Sequence, residues 1–190
     1  MKRSATAFAL AMILTSCAKY SLVKPQRVAI GDLYTVEPQI PWSSTSVAKK
    51  VEIWTVDGTR LQRIHLVKGL EDDEVMFEGK DDEKRPQFQK YMTPSEIMEF
   101  VVDSITLVGH QKVEATNLRP EKFGNVQGFR FEMSFLSEKG LEEQGVVWGA
   151  VVKEKLYLIM YSGAKAHYYP KHKDHVEGII QSIQMKEAKT

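Results

Sequence analysis

The apolar positions of the chain change period from segment to segment, and each period predicts an element. From Ala5 to Leu14 they run without a break (ATAFALAMIL) behind Lys2 and Arg3. From Gly128 to Leu136 they alternate. Phe129, Phe131, Met133 and Phe135 face one way and Arg130, Glu132 and Ser134 the other, the period of a half-buried strand. Two segments have helical spacing. Ile97, Met98, Val101, Val102 and Ile105 make one stripe, and Val176, Ile179, Ile180 and Ile183 the other. A fourth pattern, apolar on both faces, marks GVVWGAVV (145–152) and LYLIMY (156–161). Strands of that kind need cover on both sides of a sheet.

The boundaries follow from local chemistry. Thr93-Pro94-Ser95-Glu96 is a capping box with proline at the first helical position, so a helix is expected from Pro94 to about Leu107. The second helix is expected from about Pro170 to Ile183. Lys153-Glu154-Lys155 joins the two fully apolar strands as a tight reversal and makes them antiparallel. RVAIGDLYTV predicts a strand over Arg27–Val36, and KVEATNL another after the first helix. Asp57-Gly58 between VEIWTV and TRLQRIHLV predicts a type I′ hairpin. In that register Val56 faces Thr59, Trp54 faces Leu61 and Glu52 faces Arg63, all on one face. Gly69 to Arg85 is acidic and irregular, with a brief strand at Glu74–Phe77. The order predicts an α+β domain: an antiparallel β-sheet flanked by two main helices, an α/β/α sandwich. The expected organisation is 1–16 signal peptide, 17–26 N-terminus and tether, 27–185 a single globular domain and 186–190 a polar tail.

The N-terminal run is about ten residues, the length of a signal-peptide core, and too short for a membrane-spanning helix, which needs about twenty. Leu14-Thr15-Ser16-Cys17 resembles the lipobox of bacterial lipoproteins. The resemblance covers residues 1–17 and implies cleavage between Ser16 and Cys17 and a diacylglycerol on the Cys17 thiol. Cys17 is the only cysteine, so no disulfide forms within the chain. Two or three acyl chains give stable anchoring where one does not. The implied location is the cell envelope. With Ala18 rather than Asp after the cysteine, it is the periplasmic face of the outer membrane in a Gram-negative host. The element order and the ending LYLIMYSGAKAHYYPKHKDHVEGIIQSI resemble the PsbP-like fold over residues 27–185, a superfamily that includes DcrB-type envelope lipoproteins. No shared catalytic constellation comes with that resemblance.

Charge narrows the partners. Lys and Arg number 26 against 25 Asp and Glu. Losing Lys2 and Arg3 with the signal leaves the mature chain near −1, with no basic footprint for nucleic acid. G-x-S-x-G, G-x-G-x-x-G, P-loop and H-E-x-x-H motifs are absent, and no cofactor or enzymatic activity is expected. The densest polar group is AHYYPKHKDH. His172 and His175 share a helix face and His167 precedes them, a spacing that suits zinc or copper. Lys171, Lys173 and the positive helix N-terminus oppose a cation there. Tyr168 and Tyr169 are expected to cap a sheet edge. Glu71-Asp72-Asp73-Glu74 and Asp81-Asp82-Glu83 lack the ligand spacing of an EF-hand and read as a solvated loop. Trp42, bounded by Pro38 and Pro41, either lines a small-ligand or peptide site or plugs one end of the sheet. The leading expectation is a lipid-anchored, non-catalytic binding or assembly accessory for an envelope protein or peptide. The alternative is a metal-binding protein or enzyme using His167–His175.

Overall fold

The computed structural model describes residues 20–78 and 85–186. Cys17, Ser16 and the Asp81–Glu83 run lie outside them. Among the described residues, eleven strands and two α-helices follow in chain order: β1 (Ser21–Val23), β2 (Val28–Ile30), β3 (Tyr34–Val36), β4 (Trp42–Ala48), β5 (Val51–Thr55), β6 (Gln62–Leu70), α1 (Pro94–Leu107), β7 (Gln111–Phe123), β8 (Val126–Leu136), β9 (Glu142–Val152), β10 (Lys155–Ala164), α2 (Tyr168–Gln181) and β11 (Gln184–Met185). Eight strands form one antiparallel sheet in the order β1-β4-β5-β6-β10-β9-β8-β7. A second sheet, β11-β3-β2, is small.

Each face of the large sheet carries its own core. On one face α1 sets Ile97, Phe100, Val101 and Ile105 against Val67, Phe129, Phe131, Met133, Leu156 and Leu158. On the other, α2 and the small sheet set Val176, Ile179, Ile30, Tyr34 and Val36 against Trp54, Ile64, Leu66, Val146, Trp148, Ile159 and Tyr161. The expected α/β/α sandwich is therefore formed, and β9 and β10 are covered on both sides. The capping box is formed: Glu96 N donates to Thr93 Oγ1 and Thr93 N to Glu96 Oε2. Lys153 and Glu154, with φ of 50° and 63°, make the two-residue reversal between β9 and β10.

Several local expectations need correction. Asp57-Gly58 is not a type I′ turn, which needs positive φ at both residues; only Gly58 has it, at 103°. The strands stop at Thr55 and resume at Gln62, and the loop is held by Gly58 N donating to Thr55 Oγ1 and Thr55 Oγ1 donating to Gln62 O. The register shifts by three: Trp54 faces Ile64 and Glu52 faces Leu66. Glu52 pairs with Lys68 at 3.1 Å instead of Arg63. The strand expected over Arg27–Val36 is a hairpin, β2 and β3, broken at Gly31 with φ 54°. The expected tether over 17–26 is shorter than read, because Ser21–Val23 already pairs with β4. The Glu74–Phe77 strand reduces to a single bridge, Val75 with Gln87. In α1 Phe100 is buried and Met98 and Val102 only partly so, and α2 ends at Gln181, leaving Ile183 beyond it.

Candidate functional site: a polar cleft beyond α1

A fourteen-residue helix is about 21 Å long. Strands of ten or eleven residues run about 33–36 Å. α1 is therefore too short to cover the face it packs on. Past its last turn the sheet face changes character from the methyl and phenyl groups of the core to Arg63 and His65 on β6, Ser162 on β10 and Glu143 on β9. Val108 and His110, which follow α1, overhang them. The result is an open cleft with an inner lobe of 210 Å³ walled by Val47, Ile53, Phe77, Ile105, Phe135 and Met160. An outer lobe of 460 Å³ is rimmed by Arg60, Glu138 and Lys139. Arg63, His65 and His110 line both.

The floor is organised around Arg63. Its Nη1 lies 2.9 Å from Glu143 Oε2, and the two side chains are 9% and 2% exposed. Nη1 also donates to Thr59 O at 3.2 Å. Nη2 lies 3.4 Å from His110 Nε2. A guanidinium only donates, so that contact makes Nε2 the acceptor and puts the His110 proton on Nδ1. His65 sits edge-on to Phe77 at 5.4 Å, and His110 edge-on to Phe135 at 4.9 Å. Burial, with Arg63 second, holds the His65 imidazole well below its ordinary range, and the same causes lower His110. Both rings are neutral at pH 7. Burial also pushes the Glu143 carboxyl up, against the opposing pull of Arg63. Among the described residues of the cleft, Ser162 Oγ, His65 Nδ1, His110 Nδ1 and Glu143 Oε2 are buried without a hydrogen-bond partner, Glu143 Oε2 keeping its ion pair with Arg63. Leaving such a group unmet costs about 1–3 kcal/mol.

The residues singled out from sequence are placed elsewhere. Trp42 opens β4 and is 1% exposed inside the α2-side core, its ring 6.0 Å from that of His172. It lines neither lobe of this cleft and is buried in that core as a plug at that end of the sheet. His172 is buried, with Nε2 2.6 Å from Asp57 Oδ2, and Lys171 Nζ lies 2.9 Å from Asp57 Oδ1. The carboxylate thus ties α2 to the β5–β6 loop. Burial tends to raise the Asp57 carboxyl, and the hydrogen bonds from Lys171 and His172 outweigh it and lower it. His175 lies 6.2 Å from His172, ring to ring, while His167 is exposed and packs on Tyr168. Among the described residues no group of three His, Cys, Asp or Glu side chains is placed to hold a metal ion. Tyr168 and Tyr169 begin α2, where their carbonyls accept from Tyr161 Oη. In the acidic run, Glu71 pairs with Lys155 and Lys50, and Glu74 with Lys50.

The signal for the cleft was present in QRIHLV. Arg63 and His65 are polar at i and i+2 in a strand otherwise apolar on both faces, which marks a polar patch on one face of a buried strand. The solution structure of the cyanobacterial PsbP protein CyanoP from Synechocystis sp. PCC 6803 superimposes on this chain with a TM-score of 0.57. Identity is 11%, and the match covers 94% of this chain and 98% of that one. The fold is PsbP-like. A crystal structure from Bacteroides thetaiotaomicron VPI-5482 matches at a TM-score of 0.49 and 9% identity, over 85% of this chain and 51% of that one. No protein-family model matches the sequence, and no curated protein matches it. Among the described residues no helix is long and apolar enough to cross a membrane.

Proposed function

We propose that this chain is a lipid-anchored envelope protein whose PsbP-like domain binds a ligand, without turning it over, in the cleft beyond α1. The observation that carries the binding half is the cleft floor. Arg63, paired with buried Glu143 of the outer lobe, also lines the apolar inner lobe, where Ser162 Oγ and His65 Nδ1 are left unmatched. Binding sites are typically concave and mostly apolar, with a few placed polar groups. The non-catalytic half is supported by the histidines. Burial first and Arg63 second disfavour the protonated form of both, which weakens either as a base. The anchoring half rests on the Leu14-Thr15-Ser16-Cys17 pattern, and Ala18 favours the outer membrane's periplasmic face in a Gram-negative host. Binding through the His167–His175 segment is disfavoured, because Asp57 already occupies His172.

Two measurements test the reading. Cys17→Ser should leave the protein unprocessed or released from the membrane fraction. A processed, detergent-requiring Ser variant would sink the anchoring. A photo-crosslinking residue at Val47, on the cleft rim, should capture a species in the native envelope that the same residue at exposed Tyr91 does not. Equal capture at both positions would remove the cleft from the function.

A further inference from the structure

The chemistry of the cleft narrows its ligand, and this inference rests on the reading of the cleft as the binding site. Ser162 and His65 are 1% and 7% exposed and line the inner lobe, and Ser162 Oγ and His65 Nδ1 meet no hydrogen-bond partner among the described residues. A serine hydroxyl can donate, and the His65 imidazole donates from Nδ1 in the tautomer that carries its proton there. Beside them lies the Arg63 guanidinium. One acceptor group with several lone pairs meets all of these donors, and a carboxylate is such a group.

Charge selects the same class. The rim carries Arg60 and Lys139 against Glu138, and the floor Arg63 against Glu143. The surplus is positive. Glu143 is also the weaker member of the floor pair, since burial favours its protonated form. Volume then limits the body. An apolar cavity of about 150 Å³ holds benzene. The 210 Å³ inner lobe, with Phe77 and Phe135 in its wall, matches one ring and a short spacer, whereas a long acyl chain would have to run on into the outer lobe past Arg63 and His110.

We propose that the cleft binds a small arylalkanoate, its carboxylate accepting from Ser162 and His65 beside Arg63 and its ring in the inner lobe. The probes are 3-phenylpropionate, 3-phenylpropanol, 3-phenylpropylamine and decanoate, titrated calorimetrically into the detergent-solubilised full-length chain. The acid should bind at least tenfold tighter than the alcohol or decanoate, and the amine should not bind. Ser162→Ala removes an unmatched buried hydroxyl, so its thermal midpoint should hold or rise while affinity for the acid falls about tenfold. Val47→Asp, on an exposed rim position, should fold and lose the acid. Alcohol or amine binding as tightly as the acid overturns the carboxylate class and leaves the cleft as a binding site. Acid binding untouched by both variants places the ligand elsewhere and ends the proposal. Failure of every probe also ends it, while the Val47 crosslink decides the broader reading separately.

Discussion

Trp42→Ala should be as damaging as Trp148→Ala, although Trp42 stands in a proline-bounded stretch that sequence alone treats as loop. Trp42 is 1% exposed and Trp148 4%. Both side chains belong to the α2-side core. Truncating a buried tryptophan to alanine costs about 3–5 kcal/mol. Trp148 also lies under Arg130, whose guanidinium carbon is 5.5 Å from the ring centre, a contact worth about 0.5–1 kcal/mol. Against Trp42, its indole Nε1 is buried without a partner among the described residues. Removing that N–H returns part of the loss. The two variants should therefore fall within about 1 kcal/mol of each other. With a urea m-value of about 2 kcal/mol/M, each midpoint should drop by roughly 2 M. Trp42→Phe separates the two contributions: it keeps most of the apolar area, deletes the unmatched N–H, and should cost less than about 1.5 kcal/mol. Urea melts followed by far-UV circular dichroism measure all three. A Trp42→Ala midpoint within about 0.5 M of the parent would refute the argument, because that end of the sheet would then not depend on its plug.

Three further outcomes follow from particular contacts. The folded pKa of His65 is depressed below 6.5, so the unfolded chain binds the proton that the native chain refuses. Stability is then fully present above about pH 6.5 and lost as pH falls below it, and His65→Leu should flatten the decline in thermal midpoint on that acid side. An unchanged slope would assign the acid sensitivity to other groups. A Cβ on Gly128 would stand 2.3 Å from the Gly149 carbonyl oxygen across the β8–β9 pair. Backbone cannot yield as a side-chain end can, so Gly128→Ala should cost about 3 kcal/mol, and a thermal midpoint equal to the parent's would contradict the pairing. Thr93→Ala removes the α1 cap and should cost about 1 kcal/mol, read as a urea-midpoint shift of about 0.5 M.

Much of the fold was legible because its signals were local. The capping box set the start of α1, the alternation of Phe129 to Phe135 set a strand, and the two-sided apolar runs demanded a layer on each face. The site was hidden by one turn. Reading Asp57-Gly58 as a two-residue reversal aligns Arg63 with Glu52, on the face that carries Trp54. The true register differs by three residues, and an odd shift moves every side chain of β6 to the other face. Arg63 and His65 thereby pass to the α1 side, where Glu143 and Ser162 await them. The cause lies far along the chain. The Asp57 carboxylate is engaged by Lys171 and His172 of α2, a tertiary contact that local turn propensity does not contain. The Arg63–Glu143 pair was equally invisible, since nothing in the sequence says which strand ends meet.

The strand order has a consequence for how the domain is assembled. β4–β5–β6 and β7–β8–β9–β10 are two meanders in which every strand pairs with its neighbour in sequence. A single seam, β6 on β10, unites them through partners as distant as Leu70 with Leu156 and Gln62 with Gly163. Contacts of such separation carry the largest loop-closure entropy and are the slow ones to form. Arg63 and His65 stand on one side of that seam, and Ser162 and Glu143 on the other. Neither half of the chain alone contains the cleft. Whatever binds there would hold the two meanders together, and would therefore slow unfolding of the seam as well as occupy the site.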